Sequence, residues 1–186
     1  MGIMSSLHEN PARSIMGIDA STQSLAFAVF NDRELIKYGK INFTGNSTYD
    51  RLADSQAKIL ALSDDFDVDY IAIEKAIMVR STDVAIKLGM AVGVIIASVL
   101  NAGTEVVEVA PISWQSYIGN TNYNKMKKGE VRAIFPDKSE SWIRNEIRAR
   151  RKRFTTDYFN KKFEINVDDD DVSDSIGIAW YAVNHL

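Results

Sequence analysis

The chain has no cysteine, only two histidines and only three prolines among its 186 residues. Without cysteine, disulfide bonds and cysteine-ligated zinc sites are excluded, which fits a reducing compartment such as the cytoplasm. His8 and His185 stand at opposite ends of the sequence, which argues against a histidine-based catalytic triad. No apolar run reaches about 18 residues, so no membrane span is predicted. The most apolar stretch, residues 84–100, is interrupted by Lys87 and two glycines and is interpreted as a buried helix. One apolar face can lie on the sheet and the other can pair with a second copy of the protein, although a helix wholly internal to one domain is the alternative.

The charge of the chain is unevenly distributed. The net charge is −3, yet residues 125–162 carry thirteen Lys or Arg against five Asp or Glu, which gives a local charge of +8. A basic segment on an acidic chain indicates a polyanionic partner. A solvated amphipathic helix would also be basic in this way, although positive residues here outnumber negative ones more than twofold.

The order of predicted elements indicates an α/β fold. Three strands are followed by a helix, a strand, a long helix, a fifth strand and further helices, which predicts a mixed five-stranded sheet flanked by helices. The predicted strands cover residues 14–19, 24–30, 34–43, 69–74 and 105–109. Capping residues predict helices that begin after Ser47, after Ser81, at Pro111 and near Asp171. Residues 1–13 are expected to be a disordered leader and 14–186 a single domain, in which 120–168 form a basic helical insertion.

Acidic residues occupy three separate places where carboxylates are unusual. Asp19 ends the apolar run that begins at Ser14, and Glu74 ends a second run, Tyr-Ile-Ala-Ile-Glu. Asp171 and Asp174 lie three residues apart at the head of the last helix, so they share a helical face. Asp19 alone could be a turn residue. The last pair could cap a helix, although Asp168, Asp169 or Asp170 can serve that purpose instead.

The coincidence of these acids points to a metal centre. A carboxylate at a strand end is costly to desolvate unless it is paired, and a divalent cation is the usual partner. Two strand ends and one helix face can bring four carboxylates to one point. Such a ligand set suits a phosphodiester hydrolase that uses two metal ions about 3.5–4 Å apart.

The chain resembles the RuvC-type Holliday-junction resolvases of the ribonuclease H-like superfamily. Ile-Met-Gly-Ile-Asp19 is similar to the family's first strand and first acid, and Val-Asp-Tyr-Ile-Ala-Ile-Glu74 to its second. Residues 76–93 resemble the loop and dimer-forming helix, and Asp171-Val-Ser-Asp174 resembles the closing Asp-x-x-Asp helix. The likeness covers about 14–119 and 168–185.

The resemblance implies a ribonuclease H-like fold and a Mg²⁺-dependent endonuclease that resolves Holliday junctions and other branched DNA, such as forks and flaps. It implies two Mg²⁺ ions per site, replaceable by Mn²⁺, with Asp19, Glu74, Asp171 and Asp174 as ligands and catalytic residues. It also implies a homodimer and a cytoplasmic, nucleoid-associated location, or the host cytoplasm if the protein is viral. The candidate DNA-binding residues are Ile77, Met78, Arg80, Lys125, Lys127, Lys128, Arg148, Arg150, Arg151, Lys152 and Arg153.

Three departures from the family pattern bear on the details. Ile77 and Met78 stand where the family has an aromatic wedge after the second acid, and aliphatic side chains can serve as wedges at a branch point. Trp114 stands where the family has a basic residue after the fifth strand, so Lys125, Lys127 or Lys128 would have to supply that charge. The basic insertion is longer than usual, as in phage-type members, which bears on junction selectivity.

Three other functions are open at this level. The chain could be a less selective flap or Y-fork nuclease, or a branched-DNA-binding protein without catalysis. The segment Gly-Ile-Asp-Ala-Ser-Thr-Gln-Ser24 also resembles the phosphate loop of sugar kinases and actin-like ATPases. Against that remote alternative, the chain is short for their two-domain cleft, and no second glycine-rich phosphate loop is found.

Overall fold

The computed structural model describes residues 13–63, 68–75, 81–120 and 126–186. Five strands form one mixed sheet with the order β3-β2-β1-β4-β5, in which β1 pairs antiparallel with β2 and parallel with β4. The predicted five-stranded mixed sheet is thus confirmed. The strands are β1 (Ser14–Ala20), β2 (Ser24–Asn31), β3 (Glu34–Asn42), β4 (Tyr70–Glu74) and β5 (Glu105–Val109). The helices are α1 (Thr48–Ser63), α2 (Thr82–Val99), α3 (Pro111–Tyr117), α4 (Met126–Ile134), α5 (Glu140–Phe163) and α6 (Asp170–Val183).

Each face of the sheet packs against a different set of helices. Side chains alternate between the faces along a strand, so Ile15 and Ala72 contact one core cluster while Met16 and Ile71 contact the other. The first cluster includes residues of α3, α5 and α6, and the second includes residues of α1 and α2. Asp19 lies four residues after Ile15 in β1, so its side chain points to the same face of the sheet, which is the face that α6 covers.

Helix α6 lies unusually close to the sheet because β1 has a glycine at the crossing point. A Cβ added to Gly17 would lie 2.6 Å from Ala179 Cβ, a distance that real Cβ atoms do not adopt. At Gly177 of α6, an added Cβ would lie 2.7 Å from a ring carbon of Trp114. Gly17 therefore lets the backbones of β1 and α6 approach closely, and Gly177 makes room for the Trp114 ring of α3 against α6. The close crossing positions the beginning of α6 beside the end of β1.

Of the two apolar faces that the sequence predicts for α2, the single chain buries one. The buried residues of α2 are confined to one side, with Ile95 and Val99 in the core, whereas Ile86 is 59% exposed. Among the residues described, α2 is the one helix long and apolar enough to cross a membrane by length and composition alone. It packs against α1 and the sheet, and Lys87 pairs with Asp83 at 2.7 Å on its exposed side.

The local signals that predicted the helix starts are present in the structure. Asp50 N–H donates to Ser47 Oγ at 3.1 Å and Ser47 N–H donates to Asp50 Oδ2 at 2.9 Å, which is the expected capping box of α1. Ser81 caps α2 through Val84 N–H. In the basic segment, α5 runs for 24 residues beneath α6 and ends at Glu164, whose φ is 54°.

Candidate metal centre and nucleic-acid groove

Asp19 and Glu74 lie at the same end of neighbouring parallel strands. Ile18 of β1 pairs with Ile73 of β4, so the next residue of each strand, Asp19 and Glu74, follows side by side. Both side chains are half-buried and belong to the sheet face that α6 covers. The structure therefore brings together two of the predicted site residues from positions 55 apart in sequence.

The N-cap of α6 is Asp169, so neither Asp171 nor Asp174 is needed to cap the helix. Asp169 is the N-cap, and its Oδ1 accepts hydrogen bonds from Asp171 N–H at 2.9 Å and Val172 N–H at 3.2 Å. Asp171 and Asp174 consequently lie within the helix, on a turn that faces the ends of β1 and β4. The carbonyl of Ser175 lies at the close crossing with Gly17, so Asp174 is brought next to the end of β1.

Burial and mutual repulsion strongly favour the protonated forms of the two central acids. Burial, followed by the charges of Glu74 and Asp171, raises the pKa of Asp19 from 3.8 to about 7. Burial, followed by the charge of Asp19, raises the pKa of Asp174 from 3.8 to about 8, against the opposing charge of Lys152. Carboxylates from β1, β4 and α6 thus act electrostatically on one another, as groups in one site do.

Glu74 is held by Trp114, the residue that stands where the family has a basic residue after the fifth strand. Trp114 Nε1 donates to Glu74 Oε1 at 2.9 Å, and Trp114 is 1% exposed. Burial raises the pKa of Glu74 and this hydrogen bond lowers it. The indole therefore orients the carboxylate and favours its ionised form without adding a charge.

Lys40 of β3 is a functional candidate that the sequence analysis missed. Its Nζ lies 2.6 Å from Asp171 Oδ2 and 2.9 Å from Asp169 Oδ2. Asp19 pairs with Ala26, and Ala26 with Lys40, so these residues form one row across three strands. In this row, the small side chain of Ala26 lies between Asp19 and Lys40. Only the strand register could have linked Lys40 to the site from the sequence.

The donor set fits a hard divalent cation. Carboxylate oxygens are the ligands that Mg²⁺ prefers, and a cation would relieve the repulsion that raises the pKa values of Asp19 and Asp174. In the described segments, no group of three acidic or histidine side chains is close enough together to hold a metal ion. The structure thus places the four acids in one region without a preformed ligand cage, and Asp171 would have to exchange Lys40 for the metal as its partner.

The basic segment contributes a groove beside these acids. One cavity of about 410 Å³ is lined by Arg148, Lys152, Arg153 and Asp170, among others. An adjoining cavity of about 200 Å³ is lined by Trp114, Asn120, Arg151 and Asp174, and it shares Arg148 and Lys152 with the first. The positive face of α5 therefore borders the acidic centre directly.

The predicted DNA-binding cations differ in their surroundings. Arg150 pairs with Glu146 at 2.8 Å, and Arg151 donates to Gln115 Oε1. Lys128 pairs with Glu140, at the beginning of α5, at 2.9 Å. Arg148 and Arg153 are exposed and line the larger cavity. Ile77, Met78, Arg80 and Lys125 lie outside the described residues, as does the side chain of Lys127.

Comparisons with known proteins identify the family of the chain. A family model for crossover junction endodeoxyribonuclease RuvC matches residues 15–134. The RuvC of Tolumonas auensis is 32% identical over 100 residues, which cover 52% of this chain and 58% of that protein. The RuvC of Pseudoalteromonas atlantica is 29% identical over 116 residues, which cover 60% of this chain and 67% of that protein. The chain thus matches less than two thirds of the length of the first relative.

A solved structure extends the match to the whole fold. T. thermophilus RuvC in complex with Holliday junction substrate superposes with a TM-score of 0.68 at 14% sequence identity, covering 93% of this chain and 94% of that one. This likeness confirms the expected ribonuclease H-like architecture. Because the family model covers more than half of the sequence, the chain belongs to the RuvC family of crossover junction endodeoxyribonucleases.

Proposed function

We propose that the protein is a divalent-metal-dependent endonuclease that resolves Holliday junctions by paired phosphodiester hydrolysis. The observation that carries this proposal is the electrostatic coupling of Asp19, Glu74 and Asp174, which come from two strand ends and a helix. Membership of the RuvC family supports it. A fold-stabilising network would pair these acids with bases, whereas Asp19 and Asp174 mainly face other acids.

The acids have distinct roles in this proposal. Asp19, at the centre, would contact both Mg²⁺ ions, and Glu74, Asp171 and Asp174 would complete the two ligand sets. When bound, the ions make a water molecule nucleophilic and neutralise charge on the leaving oxygen. Trp114 keeps Glu74 oriented through its 2.9 Å hydrogen bond. Lys40 would release Asp171 and stay close enough to Asp169 to remain paired.

The overall reaction is hydrolysis of one phosphodiester bond on each of two strands. Water adds to phosphorus in line with the leaving group, the P–O3′ bond breaks, and the products are a 5′-phosphate and a 3′-hydroxyl. The attacking water loses a proton to solvent and the 3′ oxygen takes one up. The half-buried position of Asp19 and Asp174 excludes much of the bulk solvent from this reaction.

The DNA would lie along the groove formed by α5. Arg148 and Arg153, both exposed, would contact phosphates, and Lys152 lies between the groove and the acids. Such contacts depend on charge and DNA shape and carry little sequence information. Ile77, Met78 and Arg80, which lie outside the described residues, remain predicted junction contacts.

A homodimer would present two such sites to one junction. Helix α2 leaves Ile86 exposed on the side away from its buried residues. Gly89 and Gly93 lie on the same side, and an added Cβ at either would meet no described residue within 4 Å, so a second helix can approach closely. An isologous pairing of two α2 helices would relate the active sites by a two-fold axis, as symmetric cleavage requires.

A substrate panel tests the proposal. Purified protein is incubated with a four-way junction, a Y-fork, a flap and matched linear duplex, with Mg²⁺, with Mn²⁺ and with EDTA. We expect paired nicks in the junction that need either metal. Cleavage of forks and flaps at the same rate would indicate a less selective nuclease. Binding without any cleavage in either metal would leave a branched-DNA-binding protein. A cytoplasmic location and a phage-type origin remain predictions.

A further inference from the structure

Lys40 of β3 reaches the acidic centre from the edge of the sheet. It pairs with Ala26, which pairs with Asp19, so its side chain projects from the sheet face that α6 covers. There its Nζ lies 2.6 Å from Asp171 Oδ2 and 2.9 Å from Asp169 Oδ2, and the side chain is 23% exposed. Lys40 is therefore held by two carboxylates at the beginning of α6.

The two carboxylates that hold Lys40 have different roles in the fold. Asp169 uses Oδ1 to cap α6, where it accepts from two backbone N–H groups, and it uses Oδ2 for Lys40. Asp171 lies within the helix, and in the described part of the chain Lys40 is the one hydrogen-bond partner of its carboxylate. Asp169 is thus fixed by the helix cap, whereas Asp171 can exchange its partner without a change in the fold.

Among the described residues, no lysine or arginine lies at ion-pair distance from the other three acids of the centre, Asp19, Glu74 and Asp174. Glu74 accepts from the neutral indole of Trp114. The centre is therefore divided into two sides. On one side the carboxylates have no counter-ion in contact, and on the other side Asp171 is neutralised by an ammonium group.

An ammonium group and a divalent cation compete for Asp171. Mg²⁺ binds a carboxylate oxygen at about 2.0–2.1 Å, and two positive groups on one carboxylate repel each other strongly where water screens them little. The ammonium of Lys40 must therefore turn away from Asp171 before that carboxylate can hold a metal ion. Asp169 Oδ2, which is 2.9 Å from Nζ, keeps Lys40 paired, so the movement is short.

We propose that Lys40 is a positioning residue that occupies the Asp171 side of the centre until a metal ion displaces it, so that the two ions bind with unequal affinity. Because Asp171 is a metal ligand only in the proposed nuclease, this role rests on that function. Asp19, Glu74 and Asp174 hold the first ion without losing a partner. Asp171 helps to hold the second ion only after Lys40 has moved to Asp169 alone. Lys40 thus sets the metal concentration at which the centre is complete.

Binding of Mn²⁺ without DNA, measured from the electron paramagnetic resonance signal of the free ion, tests this role. Wild type should bind one ion tightly and a second more weakly. Lys40→Met should tighten the second ion about tenfold and leave the first nearly unchanged, while Lys40→Arg should keep the weak second ion. Lys37→Met is the matched control, since Lys37 is exposed on the same strand and pairs with Val29 of the opposite core cluster. It should bind both ions as wild type does.

The position of the ammonium separates displacement from general charge repulsion. In a Mg²⁺ titration followed by NMR, the Cε–Hε signal of Lys40, assigned by its absence in Lys40→Met, reports the change of partner. It should shift in the later phase of the titration, together with the amide of Asp171, and not in the earlier phase with the amide of Glu74. A Lys40 signal that does not shift, or that shifts with the first ion, would overturn the proposal.

Asp169→Asn tests the second half of the exchange. Asparagine caps a helix as well as aspartate does, so α6 should stay folded, but Lys40 then loses the carboxylate to which it moves. The second ion should bind more weakly than in wild type, and this loss should be much smaller when Asp169→Asn is combined with Lys40→Met. An equal loss in both backgrounds would mean that Asp169 acts on the metal without Lys40, which contradicts the exchange.

The Mn²⁺ measurement needs no DNA, so its outcome is separate from the nuclease function itself. A second Mn²⁺ bound equally by wild type and Lys40→Met would overturn the role of Lys40, even in a protein that cuts junctions. Junction cleavage provides a further readout, because Lys40→Met should reach half of its maximal single-turnover rate at a Mg²⁺ concentration about tenfold lower than wild type. If wild type never cuts, the nuclease proposal fails, and the Mn²⁺ affinities alone decide the role of Lys40.

Discussion

Gly17 of β1 and Ala179 of α6 touch backbone to backbone, and a Cβ on Gly17 would lie 2.6 Å from Ala179 Cβ. The same crossing brings Asp174 to the end of β1, where Asp19 lies. Packing of the fold and geometry of the candidate site therefore depend on one position. A larger residue there would push α6 outward and separate the acids.

Gly17→Ala should consequently cost stability and activity together. Forcing extra volume into a packed contact typically costs about 1–3 kcal/mol, and here the neighbours include backbone that cannot rotate away. Urea unfolding measures the loss. Gly129→Ala in α4 is the control, because a Cβ there meets nothing within 4 Å and alanine favours the helix. Equal stability of Gly17→Ala and wild type would contradict the close crossing.

The raised pKa values predict a pH-dependent instability of the metal-free protein. Asp19 and Asp174 have pKa values of about 7 and about 8 in the fold, against an ordinary value of 3.8. The folded state therefore binds protons more tightly, and its stability falls as the pH rises from about 4 to about 8. Asp174→Asn should raise the metal-free Tm at pH 8.5 and change it much less at pH 5. Each 1 kcal/mol corresponds to about 2–4 °C in a chain of this size.

Metal addition should reverse that instability. Mg²⁺ or Mn²⁺ at pH 8 should raise the Tm of wild type, and the increase should be smaller in Asp174→Asn, which should also bind junctions normally but not cut them. Asp157→Asn, an exposed carboxylate of α5, is the control and should respond as wild type does. A metal-induced shift of equal size in wild type and Asp174→Asn would remove Asp174 from the ligand set.

The exposed side of α2 predicts the oligomeric state. Ile86→Glu should convert a dimer into a monomer, because a charge at a helix interface is left without a partner. Sedimentation velocity measures the mass at micromolar concentration. Ile36→Glu, on the edge strand β3 with similar exposure, should leave the dimer intact. A dimer that survives Ile86→Glu would place the interface elsewhere.

Local sequence patterns were sufficient for the elements and for part of the site. Asp19 and Glu74 each end an apolar run, which identified them as candidate ligands, whereas their position side by side depends on the parallel pairing of β1 with β4. Asp169 was among the alternatives for capping α6, and the structure selects it. In the single chain, the sheet and α1 cover one side of α2, and the apolar side that stays exposed is the one expected to face a second copy.

Local sequence patterns do not predict contacts between elements that are distant in the sequence. Lys40 reads as an ordinary strand lysine until β3 is placed at the edge and α6 above it, which brings it to Asp171 from 131 residues away. Trp114 reads as a core residue of a short helix, since a buried indole gives no sign of which acceptor its N–H meets. Both pairings depend on α6 crossing the sheet at Gly17, which no local period encodes.

The Trp114–Glu74 hydrogen bond leads to the most specific pH prediction. Donation by Nε1 lowers the pKa of Glu74, so Trp114→Phe should raise that pKa further and demand a higher pH for ionisation. In a plot of cleavage rate against pH, the acid limb should shift to higher pH, and activity should recover at alkaline pH. Loss of ring volume beside Gly177 also lowers stability, so the profile is measured below the Tm of the variant.

Glu74→Gln is the companion variant, because it removes the titrating group that Trp114 acts on. It should be inactive at every pH, which separates a lost ligand from a displaced pKa. The double variant should resemble Glu74→Gln alone, since the indole then has no carboxylate to influence. A profile of Trp114→Phe that overlays the wild-type profile would show that the hydrogen bond does not tune Glu74 during catalysis.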